Sequence, residues 1–106
     1  MSNSRIYIVY DFDEKGAPIN VQLWWRQPPR FFYDSKIVTP DYFSHNKLVL
    51  AVVEINDGGT KKYDFAYLAP SLELAKYKYN SYVNNNIQGT DKTLINVSYL
   101  TLDVNG

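Results

Sequence analysis

The chain contains no cysteine, which removes a disulfide framework, a thiol nucleophile and any thiolate metal site. It has a single histidine, His45, so a His–His metal pair is excluded and a Ser–His–Asp assembly would have to use that residue. Asp41 and Ser44 lie nearby in sequence, but neither a Gly-x-Ser-x-Gly elbow nor an oxyanion-hole signal accompanies them, so His45 reads as a surface histidine. No apolar run approaches the roughly 18 residues of a spanning helix, and residues 1–5 are followed by no signal-peptide pattern. Membrane insertion and secretion are therefore not expected, and cytoplasmic is the default location. Charge of one sign is absent as well: Lys+Arg and Asp+Glu both number 11, which gives no general argument for nucleic acid or an anionic membrane.

At 106 residues and 45% hydrophobic content, the chain is read as one folded domain, 1–106. Its departure from average composition is aromatic, with ten Tyr, five Phe and two Trp. A domain of this size buries roughly two-thirds of its unfolded surface, so some of these rings are expected outside.

Residues 5–13 alternate Ile6, Ile8, Tyr10 and Phe12 on one face, a strand pattern. After a Gly–Pro connection, Ile19, Val21, Leu23 and Trp25 alternate against Asn20, Gln22, Trp24 and Arg26, which makes a hairpin. Trp25 then belongs to the core and Trp24 to the polar face. Pro28 and Pro29 end the strand, and the long segment over 27–46 is expected to hold short extended pieces and a brief helical start at Thr39-Pro40. Residues 47–55 are apolar on both faces, as in a central strand. Asn56-Asp57-Gly58-Gly59 marks a tight turn, after which Tyr63, Phe65 and Tyr67 alternate against Lys62, Asp64 and Ala66. From Ser71 the period becomes helical, with Leu72, Ala75, Tyr79, Tyr82 and Val83 on one face and Asn84-Asn85-Asn86 as a stop. Residues 93–104 form a closing strand. The expected fold is α+β, a mostly antiparallel sheet of about five strands in the order β-β-loop-β-β-α-β with one amphipathic helix on a face. A small barrel is the alternative.

Three motifs carry little chemistry. Asp11-Phe12-Asp13-Glu14-Lys15-Gly16 matches a calcium loop at positions one, three and six, then fails at Lys15 and Gln22, where ligands are required. The run reads as a solvated turn. Gly89-Thr90-Asp91-Lys92-Thr93 lacks phosphate-loop spacing, and Gly58-Gly59 is turn chemistry. No cofactor is implied.

The segment with most content is Trp24-Trp25-Arg26-Gln27-Pro28-Pro29-Arg30-Phe31-Phe32-Tyr33. Trp, Tyr and Arg are the types enriched at interface hot spots, and a diproline lowers the entropy lost on docking. The leading expectation is a small non-enzymatic binding protein, an inhibitor or modulator among the options, contacting a protein partner through Trp24, Arg26, Arg30, Phe32 and Tyr33. The alternative is a single-stranded DNA or RNA binder, with bases stacked on the aromatics and phosphates met by the arginines, Lys61 and Lys62. Acidic residues such as Asp34 and Asp64 punctuate the chain and weigh against it. A metal-assisted enzyme using Asp11 and Asp13 comes third. On the helix, Leu74 and Tyr77 form a second weak stripe that points to self-association or another protein partner, and the edge strands together with the 27–46 segment fit a homodimer.

Overall fold

A computed structural model describes residues 6–25, 34–38 and 47–105. Six strands and one helix occur among them: β1 (Ile6–Phe12), β2 (Pro18–Trp24), β3 (Asp34–Val38), β4 (Lys47–Asp57), β5 (Thr60–Ala69), α1 (Leu72–Asn86) and β6 (Lys92–Asn105). The fold class is α+β, as the alternation of periods implies. The chain packs as two compact units, Met1–Leu48 with Leu102–Gly106, and Val49–Thr101.

In the first unit β1 lies between β2 and β3 and runs antiparallel to both, while the end of β6 joins β2 in parallel through Leu23↔Val104 and Trp24↔Asn105. The sheet is therefore mixed: β1–β2, β1–β3 and β4–β5 are antiparallel, in keeping with a mostly antiparallel expectation, and the β2–β6 pair is parallel. Hairpin signals specify only local neighbours, whereas the hydrogen bond from Asn105 to Leu23 spans 82 positions in the chain. Asp13 organises the β1–β2 turn: its Oδ1 accepts from the backbone N–H groups of Lys15 and Ala17, both at 2.8 Å, around Gly16 at φ 85°. The acidic run is thus an Asp-capped turn that needs glycine at its positive φ.

Across that hairpin, Val9 pairs with Gln22 and Asp11 with Ile19, so β2 spends one residue more than β1. Asn20, at φ 53°, lies in this bulge. Directly opposed residues share a face, so Ile19 stands with Gln22 and Trp24, opposite Leu23. The expected Ile19–Val21–Leu23–Trp25 face is broken there, and Ile19 is exposed. Ile6 and Ile8 are buried as expected, but Phe12 is outside, edge-on to Tyr10 at 5.2 Å, and Val9 is buried on the other face.

In the second unit the neighbours are β6, β4 and β5. Leu48 to Val53 are all buried, which is the both-faces burial that the apolar run over 47–55 implies. A two-residue turn joins β4 to β5, with Gly58 and Gly59 at φ 61° and 95° and Asn56 Oδ1 accepting the Gly59 N–H at 2.8 Å. A second bulge follows: Ala51 pairs with Tyr67 but Val52 with Phe65, leaving Ala66 as the extra residue of β5. Tyr67 consequently leaves the face of Tyr63 and Phe65, contrary to simple alternation.

Ser71 caps α1 through Oγ, which accepts the Leu74 N–H at 3.1 Å, with Glu73 in the first turn where the helix dipole favours it. Ala75 packs with Val49 and Ala69, joined by Tyr67, Leu74 and Tyr99. Val53, Ile55 and Ile87 form a second cluster with Tyr82, Val83, Leu94 and Val97. Leu72 is exposed, and Leu74 packs beside Ala75 in the place expected of Leu72. Along β6 the better-buried positions run Lys92 and Leu94, then Val97 and Tyr99, then Leu100, Leu102 and Val104, two phase changes that strict alternation over residues 93–104 would not allow.

Candidate functional site

Of the expected contact residues, Trp24, Lys61 and Lys62 are described, while Arg26, Arg30, Phe32 and Tyr33 lie outside the described residues, as does His45. Trp24 shares a face with Gln22, as the alternation implies, and its indole Nε1–H donates to Gln22 Oε1 at 2.9 Å. It is half-buried. Trp25 is also half-buried, just beyond the end of β2, with its backbone N–H donated to the Asn105 carbonyl at 2.8 Å. The expected contrast between a core Trp25 and an outward Trp24 is absent.

Lys61 and Lys62 do not form a cationic track. Adjacent on a strand, they leave opposite faces, Lys61 toward Glu54 at 3.1 Å and Lys62 toward Asp57 at 3.0 Å. The hydrogen bond and charge of Glu54 hold the Lys61 ammonium above its ordinary value, and those of Lys62 hold the Asp57 carboxyl below its own. Asp13 is likewise engaged, by its own turn. No group of three or more metal-ligating side chains occurs among the described residues, and no helix there is long and apolar enough to cross a membrane.

The structure shows instead an open groove of about 430 Å³ between α1 and β5, within the size range of ligand sites. One wall is two adjacent helical rows spaced by four residues: Tyr77, Ser81 and Asn85, then Lys78, Tyr82 and Asn86. The other is Ala66 and Tyr67, at the β5 bulge. The bulge is what aims Tyr67 here. Its hydroxyl donates to the Ala75 carbonyl at 2.7 Å, and its ring meets that of Tyr82 with centroids 6.2 Å apart at 58°.

Burial, then the neighbouring Tyr99 hydroxyl, pushes the Tyr67 phenol far above its ordinary 10.0. Burial and, secondarily, the charge of Asp64 raise Tyr82. Both phenols are therefore neutral near pH 7, and Lys78 is the only formally charged side chain in the lining. Tyr77, three-quarters exposed, is the groove's most accessible ring. The helical spacing places Tyr77 in a second stripe, whereas Asn84-Asn85-Asn86 reads from the sequence only as a helix stop. The 77/81/85 and 78/82/86 spacings were the available signal for the polar rows.

The chain matches no known family, no curated protein and no solved structure.

Proposed function

We propose that the protein is a small non-enzymatic binding protein that engages a protein partner through aromatic surface. The observation that carries this reading is the groove between α1 and β5, where neutral tyrosines alternate with carboxamides and a serine hydroxyl and only one formal charge is present. Tyrosine gives large contact area at low entropic cost, and carboxamides supply both donors and acceptors, a combination suited to a peptide surface. Trp24 adds a half-buried indole in the other unit. The nucleic-acid alternative is weakened by the lysines proposed for it, which face carboxylates on opposite sides of β5.

The test begins with crosslinking capture and identification of the partner, followed by binary binding between purified proteins. Tyr77→Ala should weaken that binding by about tenfold or more while leaving the fold intact, since the ring is mostly in solvent. Affinity should change little between about 50 and 200 mM salt, and mixed-sequence single-stranded DNA should give no saturable quenching of tryptophan fluorescence. Saturable DNA binding that weakens steeply with salt would replace this reading with the nucleic-acid one.

A further inference from the structure

Asn105, the last residue of β6, holds that strand to β2 in two ways. Its backbone carbonyl accepts the Trp25 N–H at 2.8 Å, and its side-chain Nδ2 donates to the Leu23 carbonyl at 3.1 Å. The parallel ladder consists of Leu23↔Val104 and Trp24↔Asn105, so these two bonds are a large part of its closure. In the sequence the next residue is Gly106, and glycine, having no Cβ, is the residue type that least hinders attack of its nitrogen on a preceding side chain. We propose that Asn105 is a spontaneous deamidation site whose conversion releases the end of β6 from β2.

The reaction needs only base and water. The deprotonated Gly106 nitrogen attacks Cγ of Asn105, the Cγ–Nδ2 bond breaks, and Nδ2 departs as ammonia after taking up a proton, leaving a cyclic imide. Water then adds to one ring carbonyl. Opening at Cγ gives aspartate, and opening at the main-chain carbonyl gives isoaspartate. In the aspartate product the donor that faced Leu23 has become a carboxylate oxygen, so acceptor opposes acceptor. The new charge also lies on the same exposed side of β6 as Asp103, two residues away, whose carboxylate already pairs with Lys47 at 3.1 Å. Isoaspartate adds a methylene to the main chain and displaces the Asn105 carbonyl from Trp25. The intact strand restrains the chemistry by holding the carboxamide against Leu23, and the chemistry prevents the strand from re-forming that bond. Release is one-way.

The full chain is incubated folded at neutral and mildly alkaline pH, and unfolded in urea. Residue 105 is followed by peptide mass spectrometry and isoaspartate assay, and the Trp25 amide by hydrogen exchange. The expected result is conversion at Asn105 that rises with pH and is faster in urea, with protection of the Trp25 amide lost in converted molecules. Gly106→Leu should slow conversion severalfold, and Asn105→Asp should show the loss of protection without incubation. An Asn105 that stays intact in the folded chain while the urea sample converts fully would overturn the site. Retained Trp25 protection in converted protein and in Asn105→Asp would overturn the release.

Discussion

The Tyr67 hydroxyl donates to the backbone carbonyl of Ala75 at 2.7 Å, tying the outer part of β5 to α1. This contact exists because Ala66 is an extra residue in β5. With regular alternation Tyr67 would share the face of Phe65 and point away from the helix.

Tyr67→Phe keeps the ring and removes the donor, leaving the Ala75 carbonyl with its place in the helix. The substitution should lower stability by about 0.5–1.5 kcal/mol in urea denaturation. It should also change the alkaline limb of the stability profile. The folded-state value of the Tyr67 phenol lies above the unfolded value of 10.0, so its contribution is complete below that pH and is lost as pH rises from there toward the folded value. Tyr67→Phe should therefore lose less stability than wild type above about pH 10. Parallel alkaline limbs would show that Tyr67 does not titrate differently in the two states.

Asn20 tests the other bulge. At φ 53° it occupies a region open to glycine and tolerated by asparagine, but strained for β-branched residues. Asn20→Gly should leave the melting temperature near that of wild type, and Asn20→Val should cost about 1–2 kcal/mol. A neutral valine variant would mean that the bulge relaxes into regular pairing, which would turn Ile19 to the face of Leu23.

These bulges also mark where the sequence stopped being legible. Ile6, Ile8 and Leu23, the β4 run and the Ser71 cap follow from period and local chemistry, and the structure places each as its pattern implies. Ile19 and Tyr67 do not. A bulge changes the face of everything beyond it without altering composition, and neither Asn20 nor Ala66 announces one. The parallel β2–β6 pair was illegible for a different reason: it is closed by residues at the far end of the chain, where no turn specifies a neighbour. At the candidate site, exposure of Tyr77 was readable from the helical wheel, whereas the second wall depended on Tyr67 and hence on the bulge.

The half-burial of both tryptophans makes a further prediction. Trp24→Ala and Trp25→Ala should each cost about 1–3 kcal/mol, less than full removal of a core indole and similar to one another. Trp24 and Gln22 should be coupled by about 0.5–1 kcal/mol in a double-mutant cycle, from the 2.9 Å bond between them. A coupling indistinguishable from zero would assign the Trp24 contribution to ring burial alone.

Ala75 decides how closely the helix approaches the sheet. It is fully buried against Val49 and Ala69, with Tyr67, Leu74 and Tyr99 around it, so there is no space for a larger side chain without moving α1. Ala75→Leu should cost about 1–3 kcal/mol through overpacking, and it should also lengthen the Tyr67 hydrogen bond, since the same residue supplies the accepting carbonyl. Because Tyr77 and Tyr82 ride on the displaced helix while Ala66 and Tyr67 stay on β5, the groove should widen. Partner binding through that groove should then fall in molecules that remain folded. Ser81→Ala serves as the comparison, because it removes one exposed hydroxyl from the lining, should change stability by less than about 0.5 kcal/mol, and leaves the walls where they are. Binding that survives Ala75→Leu in folded protein would place the contact surface elsewhere, with Trp24 the next residue to examine.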